Sequence, residues 1–237
     1  MKVALASARF INGDIPHNLL QMRRFASWAK TAGADVVVFG EAFLQGFDGF
    51  VWEYEADREM AITTDGPVFA QLKAISQDTG IDLMTGFLER EGETLYSSCG
   101  LIEAGALAQR YRRISRGWKE YSCTDEHYRE GEETTPFFYR GKRCLMPLCG
   151  DLWDDPERFR GAELLFWPVY VNFSKQEWGS HEELAYAHQV NPLAEDVLMV
   201  NSLSDDPDAH GGCCWFSGGR VKASLAMGTE GILMVDI

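Results

Sequence analysis

The sequence predicts an α/β fold, a four-layer αββα sandwich of two mixed β-sheets packed face to face with helices outside, built as a single domain over residues 1–237. Three observations predict it. Residues 2–88 alternate strand, helix, strand, helix, strand. The second of these strands carries Val36, Val37 and Val38 in succession, apolar on both faces, as in sheets that are covered on both sides. The second half of the chain returns to strands and helices after a run of short strands punctuated by glycine.

Taken in order, Lys2 to Ala8 reads as a buried strand. Asp14 and Pro16 open a helix whose apolar stripe is Leu19, Met22, Phe25, Ala26 and Ala29, and Gly33 stops it. Ala34 to Phe39 is the doubly apolar strand, with Glu41 just past its carboxyl end. Asp65, Gly66 and Pro67 open a second helix through Phe69, Leu72, Ala74 and Ile75, which ends at Gly80, and Ile81 to Leu88 follows as a strand. Leu95 to Ile102, Ala106 to Arg113 and Pro136 to Tyr139 are short strands separated by Gly92, Gly105 and Gly141, a spacing that predicts hairpins. Arg143 to Leu148 leads into Cys149. A short helix near Pro156 to Arg160, a strand at Leu164 to Pro168 and a helix after Ser180 come next, Ser180 and Glu183 having capping-box spacing. Val197 to Asn201, Cys213 to Phe216, Val221 to Leu225 and Ile232 to Ile237 complete about ten strands, while Asp205, Asp206, Pro207 and Asp208 mark a surface loop.

With 46% hydrophobic residues the chain can bury one large core. Its net charge of -14 comes from Asp and Glu spread along the whole length, which disfavours binding to nucleic acid or an anionic membrane and points to a small-molecule partner. Met1 leads directly into Val3, Leu5 and Ala6 without a charged n-region or a long apolar h-region, so a cytoplasmic location is expected. Cys99, Cys123, Cys144, Cys149, Cys213 and Cys214 show no C-x-x-C or similar spacing, which predicts reduced thiols and no metal site. His127, His181, His188 and His210 show no recurrent spacing with Cys or Asp either, and read as non-ligands.

One cysteine stands apart. Cys149 ends a strand, precedes Gly150 and lies just before a helical stretch begun by Asp155 and Pro156. That is the pattern of a nucleophile elbow, in which a sharp turn lifts the side chain above the sheet, backbone N–H groups can receive an oxyanion, and a nearby helix N-terminus favours the thiolate. Glu41 has a matching position after an all-apolar strand, where a carboxylate is costly to bury without a partner.

The sequence here resembles the nitrilase superfamily of carbon-nitrogen hydrolases. The matching pieces are Val38-Phe-Gly-Glu41, Arg110-Tyr-Arg-Arg-Ile114, Glu126 through Gly131 and Leu148-Cys-Gly-Asp-Leu-Trp-Asp-Asp-Pro-Glu157, followed by Gly161-Ala-Glu-Leu-Leu165, Glu183-Leu-Ala-Tyr-Ala-His-Gln189, Val200-Asn201 and Gly211-Gly-Cys-Cys214. The resemblance implies a cofactor-free enzyme that hydrolyses a small amide or carbamoyl compound, with Glu41 as general base, a lysine cation, and Cys149 forming a thioester. It implies that Glu126 orients the substrate or the base, and that Trp153, Tyr170 and Asn172 shape the pocket, with Trp118 closing it. At the usual lysine position this chain has Arg113, so Lys119 in Ser115-Arg-Gly-Trp-Lys119 is the first choice of cation and Arg113 the second, at the substrate's edge. A homodimer through Pro156–Arg160 and Ser180–Gln189 is implied as well. Two other readings stay open: a glutaminase-type activity, suggested by the Asp125-Glu126 pair although no ammonia-using domain follows, and a binding or regulatory protein on the same scaffold.

Overall fold

The computed structural model describes residues 1–205 and 208–237, so Asp206 and Pro207 of the expected surface loop lie outside the described residues. In chain order the first half runs β1 (Lys2–Ser7), α1 (Ile15–Thr31), β2 (Val36–Val38), α2 (Tyr54–Met60), α3 (Pro67–Thr79), β3 (Asp82–Glu91), β4 (Thr94–Glu103) and β5 (Ala106–Arg112). The second half runs β6 (Phe137–Tyr139), β7 (Lys142–Leu145), α4 (Asp151–Asp154), β8 (Ala162–Val169), α5 (Lys175–Glu177), α6 (Glu183–Val190), β9 (Ala194–Asn201), β10 (Leu203–Asp205), β11 (Asp208–His210), β12 (Cys213–Ser217), β13 (Arg220–Leu225) and β14 (Gly231–Asp236).

These strands form two six-stranded sheets, β14-β1-β2-β3-β4-β5 and β13-β12-β9-β8-β7-β6, with β10 and β11 as a separate ribbon. Both sheets are mixed: β1, β2 and β3 pair in parallel, as do β7, β8 and β9, and antiparallel strands flank them. The strand period of two sorts the side chains. Val3 and Leu5 of β1 and Val36 and Val38 of β2 join Leu164 and Phe166 of β8 in the core between the sheets. Ala4, Ala6 and Val37 point the other way and pack beneath Leu19, Met22, Phe25, Phe69 and Leu72 of α1 and α3. Small residues on β1 let the helices lie close. This is the αββα sandwich.

Local signals explain most element ends. The Asp14 carboxylate caps α1 by accepting from the His17 N–H at 2.9 Å, and Gly80 ends α3 in the left-handed conformation at φ 65°. Three expectations need correction. The helix after β8 starts at Ser174, whose side chain and Glu177 form the capping box; Ser180 lies inside the helical run, its hydroxyl donating to the Glu177 carbonyl at 3.1 Å. The helix near Cys149 begins at Asp151, directly after Gly150, with Pro156–Phe159 a separate 3₁₀ turn. The helix α2 has no counterpart in the apolar pattern, because its buried position is Asp57, which accepts the Val51 and Trp52 N–H groups and the Tyr128 hydroxyl.

One mismatch of lengths makes room for chemistry. In the β7–β8 ladder Leu145 pairs with Leu165 and pairing stops there, whereas β8 continues to Val169. The last carbonyls of β8 are thereby left to bond other segments.

Candidate active site

The end of β8 gathers the segments that follow β2 and β7. The Cys149 N–H donates to the Pro168 carbonyl at 3.0 Å, the Glu41 N–H to the Val169 carbonyl at 3.3 Å, and the Cys149 thiol to the Tyr170 carbonyl at 3.7 Å. Three successive residues thus hold the carboxylate and the thiol at one point. Gly40 permits the approach, since a Cβ there would sit 3.1 Å from the Val169 carbonyl oxygen. The Cys149 carbonyl is fixed in turn by the Trp167 indole N–H at 2.9 Å.

Cys149 sits at φ 42°, a left-handed conformation that non-glycine residues rarely adopt and that costs about 1–3 kcal/mol. This is the strained turn that the elbow pattern predicts. Asp151 holds it down from below. Its carboxylate, fully buried, accepts from the Leu148 N–H at 2.8 Å, the Ser115 N–H at 2.8 Å, the Ile114 N–H at 3.2 Å and the Tyr111 hydroxyl at 2.5 Å. The elbow and the segment after β5 are therefore tied through a single side chain.

That segment delivers Arg113. Tyr111 is the last inward residue of β5, so parity turns Arg112 outward and Arg113 back toward the space between the sheets. The Arg113 guanidinium, 4% exposed, donates from Nη1 to Glu41 Oε1 at 2.9 Å and from Nε to the Ser115 hydroxyl at 2.8 Å. A Cβ at Gly150 would stand 2.7 Å from Arg113 Nη2, so the third nitrogen faces the elbow backbone. Burial works against its positive charge, but Glu41, Cys149 and Asp151 more than offset that and hold the guanidinium firmly protonated.

Glu41 is completely buried, and the Ser97 hydroxyl also donates to its Oε1, at 3.2 Å. Its other oxygen, Oε2, has no hydrogen-bond partner. A buried acceptor without a donor is costly, and in a native site it calls for a function. The Cys149 thiol is pushed up to about 12, first by burial and next by the Glu41 carboxylate, with Arg113 pulling the other way. The expectation that a helix N-terminus would favour the thiolate is therefore corrected: α4 is only four residues long, too short a dipole to outweigh burial and a neighbouring anion. At rest the site holds a neutral thiol beside a carboxylate with a free oxygen, the two groups needed for a proton to move as sulfur attacks.

The other sequence candidates divide. Lys119 does not meet Glu41 or Cys149 through any of its hydrogen bonds or ion pairs; its ammonium is held by the Tyr128 carbonyl and by Glu130 at 3.2 Å, over the Tyr121 ring. The cation in contact with Glu41 is Arg113, because strand parity, and not residue type, decides which side chain turns inward. Glu126 is exposed, with its carbonyl bonded to Arg129 Nε, so the structure does not bring its carboxylate to the site. Asn172 is exposed as well. Tyr170 is at the centre through its carbonyl, while its hydroxyl donates to Asp48 at 2.6 Å and its ring stacks on Phe47 at 4.7 Å. Trp153 stands edge-on to Tyr186 at 5.1 Å, and Tyr186 stacks on Trp167 at 5.2 Å, forming an aromatic wall beside the elbow. Sequence reasoning missed Ser97, Ser115, Tyr111 and Asp151; only Asp151 left a signal, two residues after the cysteine.

Among the described residues no group of three or more His, Cys, Asp or Glu side chains could hold a metal ion, and all six cysteines are free thiols. No helix among them is long and apolar enough to cross a membrane. A larger cleft lined by Tyr96, Arg110, Arg112 and Arg129 does not include Glu41 or Cys149, and Arg110 and Arg112 are already paired with Glu89 and Glu91.

Residues 2–153 match the family model described as carbon-nitrogen hydrolase. The chain is similar to a bromoxynil-specific nitrilase of Klebsiella pneumoniae subsp. ozaenae, 34% identical over 94 residues that make up 36% of this chain and 27% of that protein. It is also similar to a glutamine-dependent NAD(+) synthetase of Thermotoga maritima, 24% identical over 231 residues, or 89% of this chain and 39% of the synthetase. The chain thus spans well under half the length of these two relatives. Among solved structures, an amidase variant from Nesterenkonia sp., carrying the Michael adduct of acrylamide at its active-site cysteine, superposes with a TM-score of 0.82 at 21% identity, over 100% of this chain and 93% of the other. That likeness concerns the fold.

Proposed function

We propose that this chain, which belongs to the carbon-nitrogen hydrolase family, cleaves the carbon–nitrogen bond of a small amide through a thioester on Cys149. The observation that carries the reading is a buried Glu41 carboxylate with one oxygen unpartnered, held together with Cys149 by the carbonyls at the end of β8. In the first step Cys149 Sγ attacks the carbonyl carbon while its proton passes to Glu41 Oε2. The carbon–nitrogen bond then breaks, the same proton goes to the departing nitrogen, and ammonia or an amine leaves behind a thioester. In the second step water attacks the thioester, Glu41 takes a proton from it and returns that proton to sulfur, and a carboxylic acid is released.

Arg113 supplies the positive charge in this reading. It holds Glu41 through Oε1, which leaves Oε2 for the proton, and its Nη2 lies against the elbow, where negative charge develops on the carbonyl oxygen. Two copies pairing through Pro156–Arg160 and Ser180–Gln189, where Leu184 is exposed, belong to the same proposal, and sedimentation velocity tests that part separately. A glutaminase reading draws on the similarity to the synthetase along 89% of the chain, and glutamate release from glutamine tests it.

The direct test mixes the protein with a primary amide, quenches in acid and weighs the peptide that contains Cys149. An acyl mass on that peptide, with ammonia in solution and neither seen for Cys149→Ala, is the expected result. Absence of both across aliphatic, aromatic and carbamoyl substrates overturns the proposal.

A further inference from the structure

We infer that the acyl half of the substrate is uncharged, apolar and no longer than about three carbons, an inference that rests on the amidase reading and narrows it. A cavity lined by Ala42, Phe47, Phe50, Leu88, Ser97 and Trp118 lies next to Glu41 through Ala42 and Ser97, while Glu41 and Cys149 themselves do not line it. Ala42 follows the carboxylate in the chain, and the Ser97 hydroxyl is already committed to Glu41 Oε1 at 3.2 Å. What the wall exposes to the cavity is carbon throughout. No charged side chain lines it, so a carboxylate or ammonium on the acyl chain would lose its water without gaining a partner.

Size sets the second limit. The free space takes about one water-sized or methyl-sized group, enough for the end of an acetyl or propanoyl chain. The wall does not yield easily. Leu88 and Trp118 are almost fully buried, and both backbone polar groups of Leu88 are clamped by the buried Gln45 side chain, at 3.0 Å to its N–H and 3.1 Å to its carbonyl. Ala42, at φ 48°, stands in a backbone conformation that leaves its segment few alternatives. Phe50, in the loop before α2 and 9% exposed, is a large ring in this wall whose truncation would enlarge the cavity.

The experiment measures ammonia release by the full chain from acetamide, propanamide, butanamide, hexanamide and glutamine, with acid-quenched mass analysis of the Cys149 peptide in each case. The expected result is a maximum at acetamide or propanamide and a fall in kcat/KM of at least about tenfold for each added methylene beyond the space available, with no turnover of glutamine. Phe50→Leu is expected to move the maximum toward butanamide. Hexanamide or glutamine turning over as well as acetamide, with Cys149 acylated, overturns the inference and leaves the amidase reading intact. A preference for short chains that Phe50→Leu does not shift removes this cavity as the acyl site. No ammonia and no acylation with any member of the panel brings down the amidase reading, and this inference with it.

Discussion

Adjacent residues of the same strand pair build a serine–arginine–glutamate set on each face of the first sheet. On the inner face Ser97, Arg113 and Glu41 meet; on the outer face Ser98, Arg112 and Glu89 do. Both carboxylates are buried, at 0% and 1% exposure, yet their oxygens are treated differently. Glu89 receives Arg112 Nη2 at 2.7 Å and Arg110 Nη1 at 2.6 Å on one oxygen, and Arg112 Nε at 3.0 Å and the Ser98 hydroxyl at 2.6 Å on the other. Glu41 receives both of its donors on Oε1 and none on Oε2. A saturated buried carboxylate has nothing left to give a substrate, so the outer set is a clamp between strands. The inner set keeps one valency open, on Glu41 Oε2.

The comparison breaks most visibly at Glu41. Glu41→Gln keeps shape and one hydrogen-bonding oxygen but removes the proton acceptor, and amide turnover is expected to fall by roughly 10²–10⁴-fold. Glu89→Gln is expected to leave turnover per folded molecule within a few-fold and instead to cost about 3–5 kcal/mol of stability, read by urea denaturation, because two arginines lose their buried counter-charge. If Glu89→Gln turns out the less destabilising of the two, saturation is the wrong account of the difference.

Arg113→Lys sharpens the same comparison with a smaller effect. A compact ammonium cannot bond Glu41, Ser115 and the elbow at once, so kcat/KM is expected to drop by about 10²-fold, whereas Lys119→Ala, which removes only the contacts to Tyr128 and Glu130, is expected to stay within about threefold. The reverse pattern would identify Lys119 as the working cation. Next in size is Asp151→Asn, whose side chain has one acceptor oxygen for four donors; a fall of about tenfold in kcat with KM nearly unchanged is expected, and a loss of stability without a kinetic change would make Asp151 merely a brace.

The smallest expected effect is on pH. Burial pushes the Cys144 thiol up to about 12, and burial together with Glu41 does the same to Cys149, against an ordinary value of 9.0. Between about 9 and about 12 the folded chain keeps protons that the unfolded chain has released, so stability present in full below pH 9 declines as pH rises through that window. Denaturation midpoints measured from pH 8 to 11 are expected to fall less steeply in Cys144→Ala than in the parent chain.

Much of this was legible in the sequence, for identifiable reasons. Apolar stripes gave α1 and α3, and the triple valine gave β2 its two covered faces, because burial is what those elements depend on. The helix α2 was illegible for the opposite reason: Tyr-Glu-Ala-Asp-Arg-Glu-Met has no apolar stripe, and Asp57 secures it with hydrogen bonds to distant residues. Ser174 and Ser180 both have the Ser-x-x-Glu spacing, and nothing local says which one starts the helix; the helix is already under way when it reaches Ser180. At the site, Glu41 and Cys149 could be singled out because each sits where an apolar strand ends. Choosing between Lys119 and Arg113 needed the parity of β5 from Tyr111 onward, and residue chemistry alone pointed to lysine. Glu126 looked promising beside Asp125, but nearness in sequence to Tyr128, which is buried, did not carry its own side chain inward.

The carbonyls of Pro168, Val169 and Tyr170 have a mechanical consequence. Because Glu41 and Cys149 are both suspended from one short stretch at the end of β8, a relative shift of the two sheets carries the pair along as a unit. Their mutual spacing is thereby insulated from slow breathing of the sandwich, and amide hydrogens at Glu41 and Cys149 should exchange with solvent deuterium in step with one another.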